Sequence, residues 1–412
     1  MTNVGFMGLG KLGLPVALAI EKKGCNVMGY DISPTVEDII KTRKLPYKEV
    51  HAQDYLNESN IKFTNVQEIV KECEIIFVPI QTPHDPRFEG STRIPKERGN
   101  FDYSWLRQGI KQLSDEIEQQ GKDRVVVIIS TVLPGTIRKE IRPLLGKHTK
   151  LCYNPFFIAM GTTIDDFLNP EIILLGLDDE WAAKKTRQLY TNVLDAPIFY
   201  ETTVENAELV KVIYNTFIGT KIAFANTVME LCHLTPNSNV DVITDALKLC
   251  DNRIISDKYL SGGMGDGGGC HPRDNIALSW LSNKLNMSFN WFDNIMMQRE
   301  KQTDWLADLI EEHDLPITIL GKSFKASTNI VTGSPSILLK NILEERGREV
   351  FMWDPYVDKE KMLSFDIPQV YFIGTKHPEF KDFPFVKGSV VIDPWRYVDD
   401  TDDVTIIRIG EA

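Results

Sequence analysis

A short apolar strand running into Gly8-Leu9-Gly10-Lys11-Leu12-Gly13, a proline-free helical pattern from Val204 to about His233, and a second strand–helix alternation from Pro316 predict an α/β chain. The expected architecture is two Rossmann-like doubly wound domains joined by a long central helix and a small α-helical domain. The sequence divides into residues 1–200 for the first domain, 201–305 for the central helical part and 306–412 for the last.

Asn3 to Met7 is the opening strand and Leu14 to Glu21 reads as the helix, so the glycines occupy a strand–turn–helix context. Gly8, Gly10 and Gly13 then let the backbone approach a pyrophosphate at the helix N-terminus. A second strand, Asn26 to Tyr30, ends at Asp31, eighteen residues past Gly13. An acid there binds the ribose hydroxyls and disfavours a 2′-phosphate, so the expected cofactor is NAD. Two fully apolar strands, Ile75 to Pro79 and Val125 to Ile129, end in Gln81-Thr82-Pro83 and Ser130-Thr131. Ligands of such sheets sit at the carboxyl ends of the strands, which makes Thr82 and Thr131 candidate cofactor contacts. Ordinary turn or capping threonines are the competing reading. The polar segment from Pro83 to Tyr103 reads as a surface loop free to move.

With 412 residues, 42% hydrophobic and 25% charged, the composition is that of a globular enzyme of two or three domains. A net charge of -12 and a pI near 5.2 argue against nucleic acid or an anionic membrane as partner. Six cysteines without a CxxC pair suggest neither zinc nor a disulfide framework, and a reducing cytoplasm fits. No secretory signal or apolar run of spanning length is visible, so no membrane insertion is expected.

The helix from Val204 would be roughly 45 Å long at about 1.5 Å per residue, more than one small domain requires. Lys211 and Asn215, four apart, share one of its faces, either aimed at a common site or forming an exposed polar stripe. Six glycines in the eight positions Gly262 to Gly269 precede Cys270. Such a run lets backbone amides approach an anionic ligand. The stretch Asp274 to Leu281 reads as a helix, with Cys270 at or just before its N-terminus, where the helix dipole favours a nucleophilic thiolate. A flexible loop with an incidental cysteine is the alternative. Beyond Pro316, strands at Ile317–Leu320, Glu349–Trp353, Val370–Ile373 and Ser389–Asp393 surround a helix from Ser336 to Arg346. This second α/β domain lacks the glycine fingerprint and is expected to bind a different ligand.

Taken together, these motifs resemble the UDP-glucose/GDP-mannose dehydrogenase family over essentially the whole chain. The matching residues are Gly8 to Gly13, Ser130-Thr131-Val132 to Gly135-Thr136, Glu208-Leu209-Val210-Lys211 to Asn215, Asp251-Asn252-Arg253-Ile254 and the glycine run ending in Cys270. Gly321-Lys322-Ser323-Phe324-Lys325, Ser334-Pro335-Ser336 and Asp354-Pro355 continue the match. The resemblance implies an NAD-dependent enzyme that oxidises the C6 primary alcohol of a nucleotide sugar twice, UDP-glucose being the usual substrate. Cys270 would be the nucleophile that captures the aldehyde, Lys211 and Asn215 the groups that stabilise the developing oxyanion, and Asp274 the carboxylate that orders water or lysine. The same resemblance implies that Phe157, Ile158, Tyr259, Gly267, Phe324 and Lys325 bind the sugar nucleotide. It further implies a homodimer, paired through the long helix, in which Arg253 reaches the neighbouring subunit's site.

The sequence departs from the family pattern in Tyr153-Asn154-Pro155-Phe156-Phe157-Ile158-Ala159-Met160. Phe156 and Met160 stand where the family carries glutamates, the first being the base expected to activate water for thioester hydrolysis. Arg273, Asp266 and Thr332 are further departures. Asp165, Asp166 and His271 are nearby candidates for the missing base, although His271 points about 100 degrees away from Cys270 on a helix. The alternatives to the double oxidation are another substrate of the UDP-N-acetylhexosamine or GDP-mannose type, a reaction stopping after one oxidation, and a catalytically inert binding protein.

Overall fold

The computed structural model describes residues 2–93, 95–250, 259, 261–286, 290–360 and 366–411. The chain forms two compact units, one of Met1–Pro83 with Phe101–Ile213 and one of His84–Asn100 with Tyr214–Ala412.

The first unit is built on an eight-stranded sheet. Its strands are β1 (Asn3–Met7), β2 (Asn26–Tyr30), β3 (Lys62–Phe63), β4 (Ile75–Val78), β5 (Arg124–Ile128), β6 (Thr149–Tyr153), β7 (Ile173–Leu177) and β8 (Phe199–Thr203). They lie in the order β3-β2-β1-β4-β5-β6-β7-β8, and every pairing is parallel except β6 with β7. All four residues of β4 are buried, as helices on both faces of a parallel sheet require. The core includes Phe6 and Phe77, whose rings stack 5.3 Å apart, and extends to Leu14, Leu18, Val127 and Tyr190.

The second unit carries a five-stranded parallel sheet of β9 (Ile317–Leu320), β10 (Val350–Trp353), β11 (Val370–Ile373), β12 (Val390–Asp393) and β13 (Thr405–Arg408). Its order is β10-β9-β11-β12-β13. Helices Cys270–Lys284, Trp291–Glu311 and Pro335–Glu345 belong to the same unit. The long helix is Val204–Leu234, 31 residues without a break.

The segment after Pro83, expected as a surface loop, is tied down: the arm His84–Asn100 groups with the second unit. Phe88 is buried in a cluster with Ile276, Ile295 and Met296. Arg93 donates to both carboxylate oxygens of Asp304 at 2.5 and 3.0 Å and to Glu345 at 2.9 Å. Asn341 Nδ2 donates to Ser91 O at 2.6 Å, and Arg98 pairs with Asp293. Every partner lies well over a hundred residues away in sequence, so the local polarity that suggested a loop carried no trace of them.

Candidate active site

The glycine turn of the first unit has the geometry a dinucleotide requires. Gly8 sits at φ +115°, a conformation that side-chain-bearing residues rarely adopt, and a Cβ on Gly13 would stand 2.4 Å from the Gly8 carbonyl oxygen. By contrast, a Cβ on Gly10 would meet nothing within 4 Å, so that face of the turn is open for a phosphate. Asp31 is built into the turn, its carboxylate accepting the N–H of Leu9 at 2.7 Å and of Ser33 at 2.8 Å. A carboxylate has about four acceptor sites, which leaves capacity for ribose hydroxyls. Thr82 and Thr131 are brought together, the hydroxyl of the first donating to the carbonyl of the second at 2.7 Å. The residues present fit NAD.

Lys211 and Asn215 both lie on the buried side of the long helix rather than on an exposed stripe. The Lys211 ammonium stands 5.6 Å from the centre of the Phe157 ring, which joins two predicted site residues by a cation–π contact. One turn earlier, Glu208 is fully buried and accepts the N–H groups of Gly135 at 2.5 Å and Ile137 at 2.7 Å. Burial pushes its carboxyl up to about 7, against the pull of those two bonds. Glu208 thus fixes the Ser130–Thr136 turn to the helix. The sequence motif contained it without revealing this work.

Phe156 is partly buried. It packs on the sheet core, its ring 5.7 Å from Phe167 and 6.4 Å from Phe77, and Ile158 packs on the same core. The two acids proposed from sequence as substitutes are committed locally. Asp166 accepts from the Ala159 N–H at 2.8 Å and the Thr162 hydroxyl at 3.1 Å, and Asp165 faces His51 at 3.4 Å.

In the second unit the helix Cys270–Lys284 starts at Cys270 itself, four residues before the expected Asp274, and the thiol is exposed. Its first turn leaves backbone N–H groups without intrahelical partners. Cys270, Arg273 and Asp274 are spaced i, i+3, i+4 and share a face. Asp274 is fully buried. Asn215 Nδ2 donates to one of its oxygens at 2.5 Å, and Arg273 donates to the other through Nε at 3.0 Å and Nη2 at 2.9 Å. Burial works against the Arg273 charge, but Asp274 and Cys270 outweigh it and raise the guanidinium above its ordinary value. His271 points elsewhere and is buried, with ring atoms 2.7 and 2.8 Å from where a Cβ on Gly267 would stand.

The glycine run serves the chain's own packing. A Cβ on Gly268 would fall 2.5 Å from the Phe324 ring, and one on Gly263 would fall 2.1 Å from Trp395. Phe324 is therefore pressed on the backbone two residues before Cys270, with the Lys325 ammonium 5.5 Å from its ring centre. Gly267, at φ +98°, stays exposed, and so does Tyr259, at φ +68°. Arg253 and its motif lie outside the described residues. Of the departures, Asp266 forms a buried ion pair with Arg299 at 2.9 Å, and the same guanidinium donates to Gly90 O of the arm at 2.6 Å.

A network with no local sequence signal holds the Phe324 loop. Asp354 accepts the N–H groups of Lys322 at 2.7 Å and Ser323 at 2.9 Å. His377 Nε2 lies 3.0 Å from Asp354 and 2.9 Å from the Ser323 hydroxyl, while its Nδ1 accepts the Ser327 N–H at 3.1 Å. Burial opposes the charge on Asp354, but His377 and the two backbone donors hold its carboxyl well below the usual carboxylate range.

The dinucleotide turn of the first unit has the form of an NAD-binding site, and the class of protein it indicates is an NAD-dependent dehydrogenase. Comparison with known proteins agrees. Residues 2–194 match the NAD binding domain of the UDP-glucose/GDP-mannose dehydrogenase family, and residues 205–299 match its central domain. The chain belongs to this family of NAD-dependent nucleotide-sugar 6-dehydrogenases. Its relatives include a UDP-glucose 6-dehydrogenase of Rickettsia felis, 28% identical with 96% of this chain and 93% of that protein covered. A GDP-mannose 6-dehydrogenase of Pseudomonas aeruginosa is also 28% identical, covering 86% and 82%. Among solved structures, a UDP-glucose dehydrogenase from Pyrobaculum islandicum shares the fold with a TM-score of 0.87 at 24% identity, over 100% and 98% of the two chains. A UDP-D-ManNAc dehydrogenase from Pyrococcus horikoshii gives 0.83 at 24%, over 99% of each. No helix among the described residues is long and apolar enough to cross a membrane.

Proposed function

We propose that the enzyme oxidises the C6 primary alcohol of UDP-glucose twice, to the uronate, through a covalent Cys270 intermediate. The observation that carries this reading is the exposed Cys270 at the start of a helix whose same face bears the buried Asp274, hydrogen-bonded by Asn215 and Arg273. Gly8, Gly10, Gly13 and Asp31 hold NAD, with Thr82 and Thr131 beside them. NAD, when bound, would supply the hydride acceptor, one molecule for each of the two oxidations.

The chain's residues do the rest. Lys211 and Asn215 stabilise the oxyanion as the alcohol oxygen loses its proton to solvent and its carbon gives up a hydride. The Cys270 thiolate adds to the aldehyde carbonyl, giving a thiohemiacetal whose carbon again bears a transferable hydrogen, so the second oxidation leaves a thioester. Water then cleaves the carbon–sulfur bond and releases the carboxylate. Phe157, Ile158, Tyr259, Gly267, Phe324 and Lys325 bind the sugar nucleotide. The divisions 1–200, 201–305 and 306–412 are read as cofactor, dimerisation and nucleotide-sugar segments. Leu209, Ile213, Phe217 and Phe224, exposed at four- and seven-residue spacing along the long helix, suit a homodimer in which Arg253 serves the partner's site.

Supplying UDP-glucose and NAD should yield two NADH per uronate, and Cys270→Ser should abolish uronate while leaving NAD affinity intact. Uronate production by that variant would refute the mechanism. A second reading, a different sugar or a single oxidation, is motivated by Phe156 in the core. Thermal-shift comparison of UDP-glucose, GDP-mannose and UDP-N-acetylmannosamine separates the substrates, since the ligand bound best stabilises most.

A further inference from the structure

If Cys270 carries a thioester, as proposed above, some group must activate the water that releases it, and Phe156, Asp165 and Asp166 are otherwise engaged. The arm 84–100 is packed on the first turns of the Cys270 helix: a Cβ on its Gly90 would fall 2.7 Å from the Pro272 ring, and Phe88 is buried against Ile276 one turn further along the helix. Arg299 clamps the arm through Gly90 O at 2.6 Å. His84 begins this arm. It is half-buried and within electrostatic reach of Arg273 and Asp274, and Arg273 in turn is within electrostatic reach of Cys270. Arg273 and Asp274 share the Cys270 face of the helix, whereas His271 packs away from it.

We propose that His84 is the base that activates water for hydrolysis of the Cys270 thioester. The inference rests on the Cys270 reading. The water oxygen adds to the thioester carbonyl as one of its protons passes to the imidazole. The carbon–sulfur bond then breaks, its electron pair returns to Sγ, the carboxylate leaves with its proton lost to solvent, and the imidazolium gives its proton to the thiolate or to solvent. No electron acceptor is needed in this step. The surroundings suit a neutral imidazole. Burial and then the Arg273 charge lower the His84 pKa, and the carboxylates of Glu89, Asp274 and Asp85 only partly oppose them. An unprotonated ring at neutral pH is what a general base requires.

The test uses the full-length enzyme with UDP-glucose and NAD in stopped flow, comparing wild type with His84→Gln and His84→Ala. Loss of a general base lowers turnover by about 10²- to 10⁴-fold. The variants should therefore still give a rapid burst of two NADH per Cys270 and then turn over slowly by about that factor. Intact-mass measurement should find the uronyl adduct on His84→Gln, and added imidazole should restore part of the His84→Ala rate. The acid limb of steady-state turnover, expected below pH 6.5 in the wild type, should vanish in His84→Gln. Steady-state turnover of His84→Gln at wild-type level, or an equal loss of burst and turnover without adduct in a variant of normal melting temperature, would overturn the proposal. Failure of the Cys270 mechanism reads differently, as a wild type that stops at one NADH or as uronate from Cys270→Ser.

Discussion

Glu208 offers a quantitative handle on how the long helix is fixed to the first unit. Its carboxyl is fully buried and raised from 4.5 to about 7, with burial the main cause and the Gly135 and Ile137 N–H groups opposing it. The folded state therefore holds this proton more tightly than the unfolded chain. The resulting stabilisation is complete below about pH 4.5 and is lost as pH rises through about 7. At about 1.4 kcal/mol per pH unit, a displacement of this size corresponds to about 3 kcal/mol. Glu208→Gln keeps a buried acceptor but cannot titrate. In a body of this size each kcal/mol shifts the melting temperature by about 2–4 °C, so the variant should gain on the wild type by on the order of 10 °C between pH 4.5 and 8. Differential scanning calorimetry of both proteins across that range reads the difference directly, with other titrating groups cancelling. Parallel melting curves at every pH would show that Glu208 is ionised in the folded protein at no cost, and would refute the reasoning.

Three other substitutions probe the remaining parts. Asp31→Ala removes the acceptor for the Leu9 and Ser33 N–H groups and the ribose partner together, so NAD affinity by titration calorimetry should fall at least about tenfold, each tenfold step being about 1.4 kcal/mol. Asp266→Ala strands the buried Arg299 charge and should cost about 3–5 kcal/mol, while Asp266→Ala with Arg299→Met should recover much of it; equal losses would exclude a desolvation penalty. Phe156→Glu should lower the melting temperature without raising turnover, because the new carboxylate would be set among Phe77, Phe167 and the sheet core; a gain in uronate rate would show that position 156 still addresses the thioester.

Much of the fold was legible because parallel strands buried on both faces read as apolar runs, as at Ile75–Val78 and Val125–Ile128. The glycine turn was equally plain, since φ at Gly8 and the close approach at Gly13 tolerate no other residue. What escaped was long-range. The strands β7 and β8, and the four-residue edge strand β13, went unread in the sequence. The glycines before Cys270 were read as room for a ligand, but Gly263 and Gly268 are small because Trp395 and Phe324 occupy the space where their side chains would be. His377, Arg299 and the arm 84–100 act through partners distant in sequence, and a single sequence has no means of pairing them.

Phe156 bears on the release step of the proposed mechanism. A glutamate at this partly buried position would lose hydration among aromatic rings, whereas phenylalanine extends a cluster that already joins Phe77, Phe167 and Tyr190. The Asn154–Phe156 turn has thereby become part of the sheet core, held by Asn154 Nδ2 to Leu174 O at 2.9 Å. The proposed mechanism then asks for a base on an element packed beside Cys270. The arm meets that condition: its Gly90 is pressed against Pro272, two residues past Cys270, and its first residue, His84, feels the charges of Arg273 and Asp274. The same packing makes the arm's anchors matter to catalysis. Arg93→Ala, which breaks the ties to Asp304 and Glu345, should therefore slow thioester release more than the NADH burst, and equal slowing of both phases would separate the arm from the release step.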